Sequence, residues 1–282
     1  MTIPNPAVSR VDVEQRTDIE QDIWRRFFVA AENCWDRYHA IIHPHYLENV
    51  HLLRPFRENI PTLVEIDRIL ASIGWKAAYV EGFAPPWETA RMLDNHIMPL
   101  ASFLRDPDEL YFGSEPDFIH DLFGHLPMLM HEQYRALLAE WSHAASRAPV
   151  ETADQARFHI DKLVMQSQNK VSPSAFSDIK TAADSLEQFM RQYPSPTLTL
   201  EKTYTWIFEF GILEQQGELK VLGAGLLSSL SELEKLATTQ VKTALLDSRS
   251  IFTPYNVAQQ QECYLTVPSW ECYGRIIAEA RV

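Results

Sequence analysis

The stretch SEPDFIHDLFGHLP, residues 114–127, carries two histidines, two aspartates and helix-interrupting glycine and proline residues within a short apolar run. Ser114 is followed three residues later by Asp117, a pattern like a capping box with Asp in place of the usual Glu or Gln. Pro116 suits a first helical turn. We therefore expect a helix to begin just before His120.

The two histidines of this stretch, His120 and His125, are five residues apart. On a regular α-helix they would point about 140° apart, because each residue turns the chain by about 100°. Gly124 and Pro127 are expected to end or distort the helix so that the two rings converge. Two imidazoles suit iron, zinc or copper, and one carboxylate would complete a facial triad with an open side. The alternative is a chance spacing among the ten histidines of the chain.

A candidate for the acidic ligand lies in TWIFEFGIL, residues 205–213, where Glu209 is the single carboxylate among large apolar side chains. A carboxylate in such surroundings is costly to bury unless a cation neutralises it. The alternative is that Glu209 faces solvent on an amphipathic helix. The first reading predicts a metal site formed by His120, His125 and Glu209.

Outside this site the sequence predicts a mainly α protein, because glycine is scarce and apolar residues recur every three or four positions. Helices are expected at residues 17–39 and at residues 62–73, the second closed by Gly74. A short strand in KAAYV, residues 76–80, precedes a proline-rich loop, and a helix should resume over residues 88–104.

The second half of the chain contains a polar segment, residues 140–196, with two helical patterns separated by the SPS sequence at residues 172–174. We interpret it as an inserted helical hairpin. A strand in QECYLTVPSW, residues 261–270, and a final helix should follow. One domain over residues 1–282 is the simplest partition, with residues 1–16 as a flexible N-terminal arm.

Composition limits the partners. The net charge of −13 argues against nucleic acid and anionic membranes, and favours a small neutral or zwitterionic substrate. The N-terminus lacks the pattern of a signal peptide, and no apolar stretch is long enough to span a bilayer. We therefore expect a cytoplasmic protein with its three cysteines reduced.

Two longer runs carry a family resemblance. EPDFIHDLFGHLPML, residues 115–129, and FEFGILEQQGELKVLGAGLLSS, residues 208–229, at their spacing from FLRDPDEL, residues 103–110, resemble the catalytic domain of the aromatic amino-acid hydroxylases, especially the short bacterial phenylalanine 4-monooxygenases. The resemblance implies a mainly helical catalytic domain that is a monooxygenase. Fe(II) would be bound by the residues matching His120, His125 and Glu209. Tetrahydropterin and O2 would be used there to hydroxylate an aromatic amino acid such as phenylalanine.

The resemblance also implies a substrate site. Arg105 matches an arginine that binds the substrate carboxylate, a role suited to its planar fork, although RDPDE also reads as a charged surface turn. Pro116 and Phe210 match pocket walls. Ser228 matches a serine that helps to hold the amino acid, or it caps a helix. Asp117 is placed to bind the outer nitrogen of a ligand histidine, or only to cap the helix.

For the pterin, the loop GFAPPWETA, residues 82–90, matches the family's pterin-binding loop. Gly82, Phe83 and Trp87 are the candidate contacts in it. Asp121 matches an acidic residue near the pterin. Tyr204 matches a catalytic-site tyrosine near iron and pterin, with core packing as the alternative role.

Three departures qualify the resemblance. Thr89 replaces a phenylalanine that stacks on the pterin ring; either Trp87 substitutes for it, or Trp87 anchors the loop and another reductant is used. Thr205 replaces a tryptophan in the substrate pocket, which opens volume and adds polarity. The connection from His125 to Glu209 is longer than the family's and is a possible lid.

Other functions stay open at this point. One is a diverged iron oxygenase acting on another aromatic or amino-acid-derived substrate, without pterin. A more remote one is a zinc hydrolase, although HExxH is absent, and a non-enzymatic metal-binding protein is more remote still. The histidines at positions 39, 43 and 45 have no carboxylate or cysteine in ligand register, so we expect a structural role for them. No regulatory domain or tetramerisation helix is recognised, and a monomer or loose dimer is expected.

Overall fold

The computed structural model describes residues 16–80, 84–167, 170–255 and 259–281. Apart from Arg16, the predicted N-terminal arm lies outside these residues. The mainly helical architecture is confirmed. The α-helices are α1 (Asp18–Tyr38), α2 (Pro44–Asn49), α3 (Leu63–Leu70), α4 (Pro86–Asp94), α5 (Leu126–Leu129), α6 (Glu132–Ala145), α7 (Thr152–Ser167), α8 (Pro173–Gln192), α9 (Pro196–Tyr204), α10 (Ala224–Leu227), α11 (Leu230–Thr238) and α12 (Trp270–Glu279).

In the described part of the chain, short strands accompany the helices in three two-stranded sheets. The strands are β1 (Lys76–Val80), β2 (Ile97–Ala101), β3 (Ile212–Gln215), β4 (Glu218–Val221), β5 (Lys242–Leu245) and β6 (Cys263–Thr266). β1 pairs with β2 and β5 with β6 in parallel, whereas β3 and β4 form an antiparallel hairpin. Gln216 and Gly217 both have positive φ, as a two-residue hairpin turn requires.

The first two predicted helices begin and end at recognisable signals. Thr17 caps α1, and Thr62 caps α3, each within a capping box completed by a glutamate three residues on. A short 3₁₀ turn continues α3 to Gly74, whose φ of 72° ends it as predicted.

The predicted helix over residues 88–104 is wrong beyond its first half. α4 ends at Asp94, and His96 then adopts a positive φ of 57°. The chain continues as β2, which pairs in register with β1 from Ile97 against Lys76. Pairing between strands distant in sequence overrides the local helical spacing here.

The insertion predicted at residues 140–196 contains a helical hairpin with narrower bounds. α6 continues to Ala145, so the hairpin consists of α7 and α8, which pack against each other. Ser172 caps α8 and Pro173 occupies its first turn, so the predicted SPS break is the start of the second helix. Asp154 of α7 accepts a hydrogen bond from Ser195 Oγ at 2.6 Å, which fixes the hairpin to the N-terminus of α9.

One hydrophobic cluster extends from Ile23 in α1 to Ala280 beyond α12. At its centre the ring of Phe123 contacts Trp24, Phe27 and Phe28, with centroid distances of 5.1, 4.9 and 5.2 Å. Phe123 lies between the two histidines of the predicted metal site, so the core holds that segment in place. Within the described ranges, no helix is long and apolar enough to cross a membrane.

Candidate metal centre

The segment His120–His125 is a single π-helical turn. In a π-helix each N–H bonds the carbonyl five residues earlier, so residues five apart lie one above the other. The predicted distortion is therefore a widened turn within a continuous helix. Gly124 lets α10 pack against this turn, because a Cβ there would lie 2.6 Å from the carbonyl oxygen of Ala224.

Asp117 caps this helix, which was the alternative role predicted for it, and Ser114 does not. Helical residues begin at Phe118, and Asp117 Oδ1 accepts the backbone N–H of His120 at 2.9 Å. Ser114 is therefore not the cap, and Pro116 precedes the helix. Asp is as effective a cap as Ser, and Asp117 has the buried position.

Glu209 ends a second π-helical turn, Thr205–Glu209, which continues α9. Its backbone is crossed by the segment Gly223–Gly225: a Cβ on Gly223 would overlap the Glu209 carbonyl, and a Cβ on Gly225 would lie 3.1 Å from it. Only glycine permits this approach, which brings α10 against both π turns.

The three predicted ligands meet. His120 Nε2 lies 3.2 Å from His125 Nε2 and 3.3 Å from Glu209 Oε2, and His125 Nε2 lies 3.1 Å from Glu209 Oε1. Such ligands bind a cation like zinc at about 2.0–2.2 Å, and two at right angles would be about 3 Å apart. The donor spacing therefore fits one first-row divalent cation. Two imidazoles and one carboxylate suit Fe(II) with open positions.

The electrostatics agree with a cation site. Burial would raise the pKa of Glu209, but the His125 and His120 imidazoles hold it well below its usual range. Burial would lower the pKa of His120, but the Glu209 carboxylate raises it overall. The pocket therefore favours positive charge between these side chains, which a divalent metal ion provides.

Ser228 fixes the tautomer of His120. Its hydroxyl donates to the Ala224 carbonyl at 2.8 Å, and the same oxygen lies 3.1 Å from His120 Nδ1. A hydroxyl has one proton to donate, so this oxygen accepts from an N–H on Nδ1. Nε2 then presents a lone pair to the metal. The role predicted for Asp117, binding the outer nitrogen of a ligand histidine, was wrong; Ser228 has that position.

Asp117 instead binds Arg105. Its carboxylate accepts from Arg105 Nε at 3.1 Å and Nη2 at 2.7 Å, and from the Arg105 backbone N–H at 2.8 Å. Both side chains are buried, so the alternative of a surface arginine is excluded. Arg105 Nη1 also donates to the Ser228 carbonyl at 3.3 Å.

The Arg105 guanidinium has N–H groups that make no hydrogen bond with the described residues. Its bonds to Asp117 and Ser228 use the Nε proton and one proton on each terminal nitrogen, which leaves one N–H on Nη1 and one on Nη2 for a further carboxylate. Gly113 packs so closely against the Arg105 guanidinium that a Cβ at position 113 would lie 3.0 Å from Arg105 Cζ. No motif in the sequence had indicated this role for Gly113.

Comparison with known proteins identifies the family. A model described as biopterin-dependent aromatic amino acid hydroxylase matches residues 6–168 and 195–276, which is most of the chain. The chain belongs to this family. Membership makes it an oxidoreductase, a monooxygenase of aromatic amino acids. The unmatched residues between the two segments contain α8.

Relatives and structures of this hydroxylase family agree. The chain is 26% identical over 225 residues to phenylalanine-4-hydroxylase of Pseudomonas aeruginosa, covering 79% of this chain and 69% of the relative. It is 25% identical over 226 residues to that of Vibrio cholerae, covering 79% and 63%. The chain thus spans about two thirds of the length of these relatives.

Among solved structures, Chromobacterium violaceum phenylalanine hydroxylase with bound iron(III) and oxidised 7,8-dihydrobiopterin superposes with a TM-score of 0.70 and 20% identity, covering 95% of this chain and 83% of that one. Phenylalanine hydroxylase from Legionella pneumophila superposes with a TM-score of 0.66 and 22% identity, covering 95% and 92%. These likenesses show the hydroxylase fold.

The cofactor side of this hydroxylase is described in part. Gly82 and Phe83 lie outside the described residues. Asp121 lies beside the metal site, its carboxylate within 4.8 Å of the histidine nitrogens. Its Oδ2 accepts the Ala101 N–H at 2.6 Å. Burial raises the pKa of Asp121 to about 6, against the lowering effect of His120. Asp121 Oδ1 accepts no hydrogen bond from the described residues and is therefore available as an acceptor.

The aromatic positions have definite neighbours. Trp87 lies in the first turn of α4 and packs edge-on against Phe158 of α7, 5.8 Å between centroids, which favours the loop-anchor role. Tyr204 lies 6.3 Å from the His125 ring and 4.5 Å from Trp141. Burial, with Glu209 nearby, raises the pKa of Tyr204 well above its usual value, so its hydroxyl stays protonated.

The substrate side contains the predicted wall Phe210, which is buried beside Glu209, whereas Pro116 is exposed. The hydroxyl of Thr205 donates to the Glu201 carbonyl at 3.1 Å. The Thr205 hydroxyl is therefore bonded to the backbone and adds little polarity to the substrate pocket. The replacement of tryptophan by threonine changes mainly the side-chain volume.

The remaining histidines form no metal group within the described parts of the chain. His39 lies exposed at the end of α1. His45 stacks on His43 and on His131, which the sequence had not singled out, with 5.3 and 3.8 Å between ring centroids.

Proposed function

We propose that this hydroxylase uses Fe(II), a tetrahydropterin and O2 to hydroxylate the ring of an aromatic amino acid of the phenylalanine type. The observation that carries the proposal is the donor cluster of His120, His125 and Glu209, whose atoms lie 3.1–3.3 Å apart. The Chromobacterium relative, with iron(III) and dihydrobiopterin in its structure, supports the same assignment. When bound, iron and pterin together supply the activation of dioxygen.

The residues of the chain position the reactants. Arg105 would bind the amino-acid carboxylate through its two free N–H groups, while Asp117 keeps the guanidinium oriented. Phe210 provides an apolar wall next to Glu209. Asp121 would accept an N–H of the pterin. Fixed groups of this kind lower the barrier chiefly by orientation.

The test is a product assay with purified, iron-loaded protein, a tetrahydropterin and O2. We expect hydroxylated amino acid from at least one of phenylalanine, tyrosine and tryptophan, in proportion to pterin oxidised. Protein loaded with zinc is the control and should give no product, since zinc has no redox chemistry. Absence of hydroxylated product from all three amino acids with full iron occupancy would refute the proposal.

A second candidate is an iron oxygenase of the same fold that acts on another aromatic substrate with another reductant. It is favoured by Thr89 in place of the stacking phenylalanine and by the engagement of Trp87 with Phe158. Tetrahydropterin binding in the micromolar range, measured by anaerobic calorimetry, would count against it. The expected monomer or loose dimer remains a prediction for size-exclusion chromatography.

A further inference from the structure

Lys202 is a buried lysine on α9, one turn before the π turn that carries Glu209. Its side chain is only 8% exposed. The Nζ atom lies 4.4 Å from the centroid of the Tyr255 ring and 3.5 Å from Glu187 Oε1 on α8. Burial of an ammonium group is costly, so this position requires the partners that it has.

Tyr255 lies between this lysine and the substrate side of the site. Its ring packs against Trp206 with 6.1 Å between centroids and against Phe210 with 5.9 Å. Phe210 directly follows Glu209 and is the predicted pocket wall. A contiguous set of side chains thus leads from Lys202 through Tyr255 to the wall beside the metal ligand.

The ammonium group is charged in this environment. Burial would lower the pKa of Lys202, but Tyr255, Glu201 and Glu187 raise it overall. A desolvated cation over an aromatic face is attracted more strongly than an exposed one. Lys202 therefore restrains the Tyr255 ring, and Glu187 restrains Lys202.

Glu187 belongs to a part of the chain that the family model does not match. α8 lies between the two segments that match the family model. Arg191, one turn further along α8, donates a hydrogen bond from Nη2 to Glu187 Oε1 at 2.9 Å. α8 therefore places an anchored carboxylate next to a lysine behind the substrate wall.

We propose that Lys202 is a positioning residue for the aromatic substrate: it fixes Tyr255 against Phe210 and is itself held by Glu187 of α8. α8 then acts as a fixed support of the substrate pocket. The proposal rests on the proposed function, since it concerns the ring-binding wall of that site.

The test compares Lys202→Met with Lys202→Arg and Glu187→Gln. Lys202→Met keeps length and removes the charge, and should raise the KM for the amino acid about tenfold, with the KM for pterin unchanged. Lys202→Arg keeps a cation over the ring and should restore most of the affinity. Glu187→Gln should shift the amino-acid KM in the same direction by a smaller factor.

Lys235→Met is the matched control, because Lys235 lies 5.8 Å from the ring of Tyr264 and takes no part in the site. It should leave both KM values unchanged. Amino-acid binding to the Fe(II) protein, measured by anaerobic calorimetry without pterin, gives a readout independent of turnover. Its Kd should follow the KM.

Two results would overturn the proposal: an unchanged amino-acid Kd in Lys202→Met, or equal weakening of amino acid and pterin. If Lys202→Met does not fold, Glu187→Gln decides the matter by the same criteria, since its side chain is 37% exposed. Failure of the proposed function would appear separately, as wild-type protein that gives no hydroxylated product.

Discussion

Asp117 binds Arg105 through both carboxylate oxygens, and its Oδ1 also accepts the backbone N–H of His120 at 2.9 Å. One carboxylate thus joins the residue that would bind the substrate to the first residue that would bind the metal. Because all three residues are buried, water does not compete for these bonds. The substrate arginine and the metal helix therefore share one support.

Asp117→Asn should test this support. Asparagine can still cap the helix, but it leaves the Arg105 guanidinium buried without a counter-charge. We expect the free energy of unfolding to fall by about 3 kcal/mol, measured by urea denaturation, and the amino-acid KM to rise. A variant as stable as the wild type would show that Arg105 finds another partner.

Ser228→Ala removes the acceptor of His120 Nδ1–H. Loss of such a partner typically lowers metal affinity by about 10- to 100-fold, and we expect a decrease of this size for Fe(II), measured by competition with a chelator. Ser229→Ala is the matched control, because Ser229 Oγ is buried and has no hydrogen-bond partner among the residues that the structure describes. Equal iron affinity in the two variants would disprove the tautomer assignment.

Two glycines should respond in opposite ways to alanine. A Cβ at position 124 meets backbone atoms of Ala224, so Gly124→Ala must separate the π turn from α10 and should reduce both stability and iron content. A Cβ at Gly274, inside α12, meets only Leu137 Cδ2 at an ordinary 3.5 Å. Gly274→Ala should therefore stabilise the protein by about 0.5–1 kcal/mol. Thermal denaturation with iron analysis measures both, and a stable, iron-replete Gly124→Ala would contradict the close-packing argument.

The metal ligands could be predicted from the sequence, because metal binding depends on the types of the residues. His120, His125 and Glu209 could be selected because two imidazoles near helix breakers and one carboxylate among aromatics suit a metal, and the family motifs added the substrate and pterin positions. Contacts between residues that are distant in sequence could not be predicted. The pairing of β2 with β1, the hydrogen bond of Ser228 to His120 and the packing of Gly113 on Arg105 all join residues whose neighbours in sequence say nothing about their partners.

The pH dependence of stability should reveal the histidine stack. His43 is buried, and its Nδ1 accepts the His45 backbone N–H at 3.3 Å. Burial, with the neighbouring His45 and His131, lowers the pKa of His43 to about 4. An unfolded histidine titrates near 6.5. Between these two pH values the unfolded chain binds a proton at His43 and the folded chain does not. The free energy of unfolding therefore decreases as the pH falls through this window.

The size of this effect follows from the shift. The loss of stability should be at most about 3 kcal/mol, spread from about pH 6.5 towards pH 4. His43→Asn keeps an acceptor at the start of α2 and does not titrate, so urea midpoints should depend less on pH in this variant. His39→Asn, at an exposed position, should keep the wild-type slope. If both variants lose the slope equally, or neither does, the pH dependence does not originate in the stack.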